Sequence, residues 1–149
     1  INGKPFQGAF GNAGEISRIF TPEEGKLRPA LGILIDRLRH GGIEIKDIRD
    51  LNHKFDPAWP IAQQWVEEVT PNLHRAMDAM NAVIDPAAII LGGEIPRKLG
   101  EMFLAMPRTC SGKRWDISAE YPDILLSAIE GDSSALGAAL TPLRETYFN

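Results

Sequence analysis

A chain of 149 residues carrying a net charge of −4 has the length of one domain and lacks the basic excess of a nonspecific nucleic-acid surface. Its 44% hydrophobic and 24% charged residues fit a globular core, and no apolar run approaches the ~18 residues of a membrane span. Cys110 is the single cysteine, which excludes an internal disulfide and points to a reducing, cytoplasmic compartment.

Ile1-Asn2-Gly3-Lys4-Pro5 reads as the end of a strand entering a turn, so the chain is expected to begin inside an element. Gly8, Gly11 and Gly14 then recur every third residue and deliver one carboxylate, Glu15. Glycine permits positive φ and close backbone approach. Glu15 therefore reads in two ways: as a charge at a helix start, or as a carboxylate held against a small polar ligand, with Asn12 at the same rim. Thr21 is placed to cap a turn with Pro22 at its first position. Leu27, Leu31, Leu34, Ile35 and Leu38 predict a helix ending at His40-Gly41-Gly42. A short helix is expected within Ile43–Asn52.

Residues 58–84 form the longest predicted helix, with a wide apolar stripe from Trp59 through Trp65 and Met77 to Ile84. Pro60 sits in its first turn, where the missing N–H costs little. Pro71 predicts a kink or break near residues 67–70, and Asp85-Pro86 ends the helix. The run Ala88–Leu91, bounded by Pro86 and Gly92-Gly93, predicts a buried parallel strand. A helix over 96–106 follows. Residues 107–122 are irregular, with Trp115 and Ile117 on a strand, and Asp123–Ala128 predicts a second buried strand. Ser133 or Ser134 caps a last helix reaching Tyr147. Strands alternating with helices make this an α/β domain.

His40, His53 and His74 are expected on helix surfaces, and no acid–histidine–nucleophile set is visible. Trp59 and Trp65 read as core or as a subunit contact. Gly137 among alanines reads as close helix packing.

Three segments carry a resemblance. Asn2–Ser17 ("NGKPFQGAFGNAGEIS") resembles the glycine-rich sugar-binding loop of the ROK family of sugar kinases and sugar-responsive transcriptional regulators. Asp85–Pro96 ("DPAAIILGGEIP") resembles its strand–Gly-Gly–helix element, and Gly131–Leu143 ("GDSSALGAALTPL") its small-residue C-terminal helix. They occur in family order across nearly the whole of residues 1–149. The resemblance implies the C-terminal lobe of the ribonuclease-H-like fold of actin-like ATPases, truncated on its N-terminal side. It also implies that Glu15 holds a sugar hydroxyl and that Gly92-Gly93 lies beside a nucleotide in kinases.

The chain departs from that pattern where the family continues Glu-x-Gly-His. Ser17 and Arg18 stand in those places, and Gly25-Lys26-Leu27-Arg28 replaces a cysteine-rich zinc loop. A structural zinc needs about four Cys or His ligands, so no metal and no other cofactor is expected. Arg18 and Arg28 replace a sugar-contacting histidine and glutamate. A guanidinium fork suits carboxylate or phosphate, so an acidic sugar is the expected ligand of a working pocket, on Glu15, Asn12, Arg18 and Arg28. The function implied is the ligand-sensing and self-association domain of a sugar-responsive regulator. A dimer through the 58–84 face is expected, with DNA bound only through an upstream domain. The alternatives are a sugar-kinase lobe, inactive without its upstream half, and an oligomerisation module with a non-functional pocket.

Overall fold

The computed structural model describes residues 6–108, 113–114, 117–118, 120–129, 131 and 133–147; Ile1–Pro5, Cys110 and Trp115, read above, lie outside them. Two 3₁₀ turns, Ile16–Ile19 and Glu24–Leu27, precede five helices and four strands. These are α1 (Leu31–His40), α2 (Ile48–Lys54), α3 (Pro60–Ile84), β1 (Ala88–Leu91), α4 (Arg97–Ala105), β2 (Lys113–Arg114), β3 (Ile117–Ser118), β4 (Asp123–Leu126) and α5 (Ser133–Tyr147). Leu27 lies in the second turn, so α1 starts later than its leucine spacing suggests.

The core forms where α1, α2 and α4 meet α3. Trp65 is fully buried among Leu34, Leu38, Leu51, Val69 and Leu99. Its ring meets Phe103 of α4 edge-on, centroids 5.8 Å apart. Burying an aromatic of this size removes roughly 150–250 Å² from water, worth about 4–6 kcal/mol at ~25 cal/mol per Å². At the edge, Arg37 of α1 donates to Glu68 of α3 at 2.7 Å, which holds the Glu68 carboxyl below its ordinary pKa. That pair is partly exposed and secondary to the packing. Gly41 lets the end of α1 close on α3, because a Cβ there would lie 2.1 Å from Ile61 Cδ1.

α2 is set by its start. The Asp47 carboxylate accepts from the Asp50 N–H, and Asp50 accepts from the Lys46 N–H, both at 2.8 Å. The first bond satisfies one orphan donor of the first turn, and the second ties the residue before the cap back to the helix.

α3 differs from expectation at His74. At Pro71 the helix continues, so of the kink or break expected there the break does not occur. The carbonyl that loses its donor belongs to Glu67, and both residues are exposed, so water can replace the missing bond. Next to it the Thr70 hydroxyl donates to the Val66 carbonyl at 2.6 Å. His74 is buried, 7% exposed, and not on the surface. It follows Thr70 by one turn and precedes Met77 by another, and all three face inward. Asp85 ends α3 in the left-handed region, φ 49°, a conformation that aspartate tolerates better than most residues. The middle of the apolar face of α3, from Ala62 to Met77, is thus used inside the chain, while Val83 and Ile84 at its end stay exposed.

β1 and β4 pair in parallel, Ala88 opposite Asp123 through Leu91 opposite Leu126, with α4 as the crossover. Ile89, Leu91, Ile124 and Leu126 share the face toward α3 and α4. The other face carries Ile90 and Leu125, which are 64% and 49% exposed. The expectation of two buried strands therefore holds for one face only, because among the described residues no element covers the other. β2 and β3 form a separate antiparallel pair. In α5, Leu136, Leu140, Leu143 and Tyr147 are exposed. Among the described residues nothing lies within 4 Å of where a Cβ on Gly137 would stand, so the close packing expected there is not made by them.

Two outcomes test this core. Trp65→Ala should lower unfolding free energy by ~3–5 kcal/mol in urea titration, as expected for large-to-small substitution. Burial, reinforced by the positive charge of Arg108 and opposed by Asp78, pushes the His74 imidazole below its usual pKa. The unfolded chain then binds a proton that the folded chain resists, so stability should fall as pH drops through about 6.5. Denaturation at pH 7.5 and 5.5 should show a loss that is smaller in His74→Gln; the lowered carboxylates act only at more acid pH.

Candidate functional site

The apolar run Ile89-Ile90-Leu91 is followed by two glycines, and the chain turns there at the carboxyl end of β1. Gly93 takes φ +86°. Gly92 permits close approach of the two strand ends, since a Cβ on it would lie 3.1 Å from the Ser127 Cβ. The Ser127 N–H donates to the Leu91 carbonyl at 2.8 Å, extending the parallel pairing by one step. The Ser127 hydroxyl accepts from the Ile129 N–H at 3.1 Å, and Gly131 turns with φ +84°. From α2, Asn52 donates to the Glu94 carbonyl at 2.8 Å and fixes the turn against that helix.

These elements enclose a cavity of about 550 Å³, within the usual range for small-molecule sites. It lies outside the carboxyl ends of parallel strands, where open α/β sheets bind ligands. Its walls carry Arg49, Asn52 and His53 from α2, the Gly92-Gly93 turn with Glu94, Arg97 at the start of α4, and Ser127. Two permanent cations against one carboxylate give the walls a positive balance. The first turn of α4 adds unsatisfied N–H groups of the same sign, and Pro96 at its cap offers no side chain to satisfy them. Arg97 also reaches Glu101 at 3.4 Å, an exposed pair that leaves the guanidinium accessible. The arrangement can hold an anionic or polyhydroxylated small molecule. It contains no nucleophile–base pair.

The glycine-rich loop lies apart from this cavity. Gly8, Gly11 and Gly14 all take positive φ, at 73°, 70° and 92°, as the spacing suggests. The Ala13 N–H donates to the Gln7 carbonyl at 3.1 Å and the Glu15 N–H to the Asn12 carbonyl at 3.2 Å. The loop is tied to α3 through Glu24. Thr21 and Glu24 cap each other, Thr21 N–H to carboxylate at 2.8 Å and Glu24 N–H to hydroxyl at 3.3 Å. Arg75 of α3 pairs with Glu24, donates to the Ile19 carbonyl at 3.2 Å and lies over the Phe20 ring. The Thr21 and Arg75 donors hold the Glu24 carboxyl below its ordinary pKa.

Of the residues singled out in the sequence, Gly92 and Gly93 line the larger cavity. Glu15, Asn12, Arg18 and Arg28 are exposed and line neither described cavity. Glu15 stands before the first 3₁₀ turn without a side-chain capping bond. Arg28 donates to the Gly25 carbonyl at 3.3 Å. Among the described residues no group of three or more His, Cys, Asp or Glu is placed to hold a metal. Sequence reasoning missed Arg49, Asn52, His53 and Arg97. The spacing of the first three, one helical turn on one polar face, was the available signal.

No family model matches the chain, and no solved structure matches it. An uncharacterized protein of Sinorhizobium fredii, y4fQ, is 27% identical over 152 residues, covering 99% of this chain. The chain spans 37% of the length of that curated relative.

The turn can be tested directly. Gly93→Ala forces a side chain into the left-handed region and should cost about 1–2 kcal/mol, read as a lowered urea midpoint. A variant as stable as the parent would mean that the turn relaxes to negative φ.

Proposed function

We propose that this chain is the ligand-sensing and self-association lobe of a ROK-type, sugar-responsive transcriptional regulator, built on the C-terminal half of an actin-like fold. The observation that carries the reading is the Gly92-Gly93 turn. It closes a parallel strand, opens a helix and borders the larger cavity, which supports the resemblance to the family's strand–Gly-Gly–helix element, a turn that lies beside the nucleotide in its kinases. The positive φ of Gly8, Gly11 and Gly14 gives the loop before Glu15 a backbone that favours glycine at each of these positions, which supports the resemblance to a glycine-rich loop.

A regulator fits better than a kinase lobe. Phosphoryl transfer needs phosphate cradling, a metal and a positioned base together, whereas Arg18 and Arg28 stand where the resemblance implies the sugar-contacting histidine and glutamate. Sensing needs only differential binding. The uncovered apolar residues Ile90 and Leu125 and the leucines of α5 favour self-association. DNA recognition is assigned to a separate domain of the protein. The oligomerisation module with a dead pocket is the reading that remains if no sugar binds.

The ligand proposed is an acidic sugar, with Glu15 and Asn12 on its hydroxyls and Arg18 and Arg28 on its charge. A charge-assisted pair is worth about 1.5–3 kcal/mol, so glucuronate should bind the native gene product roughly 10-fold to 150-fold tighter than glucose. Calorimetry on the parent and on Arg18→Ala and Arg28→Ala measures this. Equal affinity for both sugars, or a preference unchanged in both variants, would leave only the module with a dead pocket.

A further inference from the structure

Helix α3 presents different side chains to its two sides. His74 and Met77 turn toward the sheet and α4, where they border a smaller cavity of about 280 Å³ that Leu91 and Arg108 also line. Asn72 and Arg75 lie on the other side, three residues apart and so on one face, and meet the two 3₁₀ turns before α1.

The two side chains grip main-chain carbonyls next to the arginines proposed to hold the ligand. Arg75 donates to the Ile19 carbonyl at 3.2 Å, one residue after Arg18. Asn72 donates to the Leu27 carbonyl at 3.2 Å, one residue before Arg28. Glu24 joins the two: its carboxylate pairs with Arg75 and its carbonyl accepts from Asn72 at 3.0 Å. The first turn carries this hold back to Glu15, whose carbonyl accepts from the Arg18 N–H at 3.1 Å. The second carries it to Arg28, whose N–H donates to the Gly25 carbonyl at 3.4 Å.

Each turn has four residues, and turns this short have too few internal hydrogen bonds to hold their own place. Both anchoring side chains are fully committed. A carboxamide has two N–H donors, and Asn72 meets two carbonyls. The Arg75 guanidinium divides its fork between a carboxylate and a carbonyl and lies 5.6 Å over the Phe20 ring, a set that a compact ammonium cannot reproduce. Glu24 matches the Arg75 charge, whereas among the described residues neither Arg18 nor Arg28 forms an ion pair with a carboxylate. Arg75 is a brace, and the two exposed arginines keep their charge for a ligand. We propose that Asn72 and Arg75 are positioning residues of the ligand site: they set the distance between Arg18 and Arg28, and with it the preference for an acidic over a neutral sugar. The inference rests on the sugar-sensing reading above and adds to it two residues that touch no ligand.

Calorimetry of the native gene product with glucuronate and glucose, beside Asn72→Ala and Arg75→Met, tests this. Each variant should lose roughly 5-fold or more of the preference for glucuronate, with glucose affinity within about 2-fold of the parent. Double variants separate positioning from general loosening. Asn72→Ala should change the preference little in an Arg28→Ala background, and Arg75→Met little in an Arg18→Ala background, because each acts through that arginine. Thermal melting checks that the variants stay folded; neither side chain belongs to the buried core, and should one variant unfold, the other decides. Equal binding of the two sugars by the parent would overturn the sugar reading and this inference with it. A parent preference that survives in both single variants, or losses that add in full in the double variants, would overturn this inference and leave the sugar reading standing.

Discussion

The structure depends on one helix that must bury two sides of itself at once. α3 packs on α1 and α2 through Trp65, Val66 and Val69, and turns His74 and Met77 toward the sheet and the end of α4. A side chain as large as Trp65 can be buried only where several elements converge, and here they are α1, α2 and α4. The position of α4 then fixes the crossover between β1 and β4. The spacing of the two cavities follows from the same geometry: they open on either side of Leu91, which lines both.

Polar groups near this frame divide by how they are held. Around the larger cavity the contacts are mostly main-chain: the Gly92-Gly93 turn, the Ser127 N–H and the Glu94 carbonyl held by Asn52. Such groups keep their geometry whatever side chains surround them. Around the smaller cavity they are side chains in series, Asp78 to Tyr121 to Arg108, where each member orients the next.

Features governed by local rules were legible in the sequence. The glycines of the first loop take positive φ, which a residue without a Cβ adopts at little steric cost. Ala88–Leu91 pairs in parallel because a short apolar run between a proline and a glycine pair suits a crossover unit. What escaped depends on which elements meet. His74 reads as a polar residue on a helix, and only the joint approach of the sheet and α4 makes its position interior. Ile90 and Leu125 read as core, yet a strand pattern cannot say whether a layer lies on each face. Pro71 reads as a breaker, yet a helix tolerates it where the orphaned carbonyl faces water. The cationic wall of the larger cavity escaped because Arg49, His53 and Arg97 come together only through the docking of α2 against the turn before α4.

The first loop is held to the helical body by contacts at two residues of α3, Asn72 and Arg75. Residues 6–20 hold to the body through Arg75, Phe20 and the Thr21–Glu24 cap, with Asn72 donating to the Glu24 and Leu27 carbonyls. None of these residues is buried, and ionic contacts in contact with solvent weaken as salt rises. The Trp65 core has no such dependence. Of these links only the Arg75–Glu24 pair joins two full charges, so salt loosens one contact of several and leaves the hydrogen bonds from Arg75 and Asn72 to main-chain carbonyls in place.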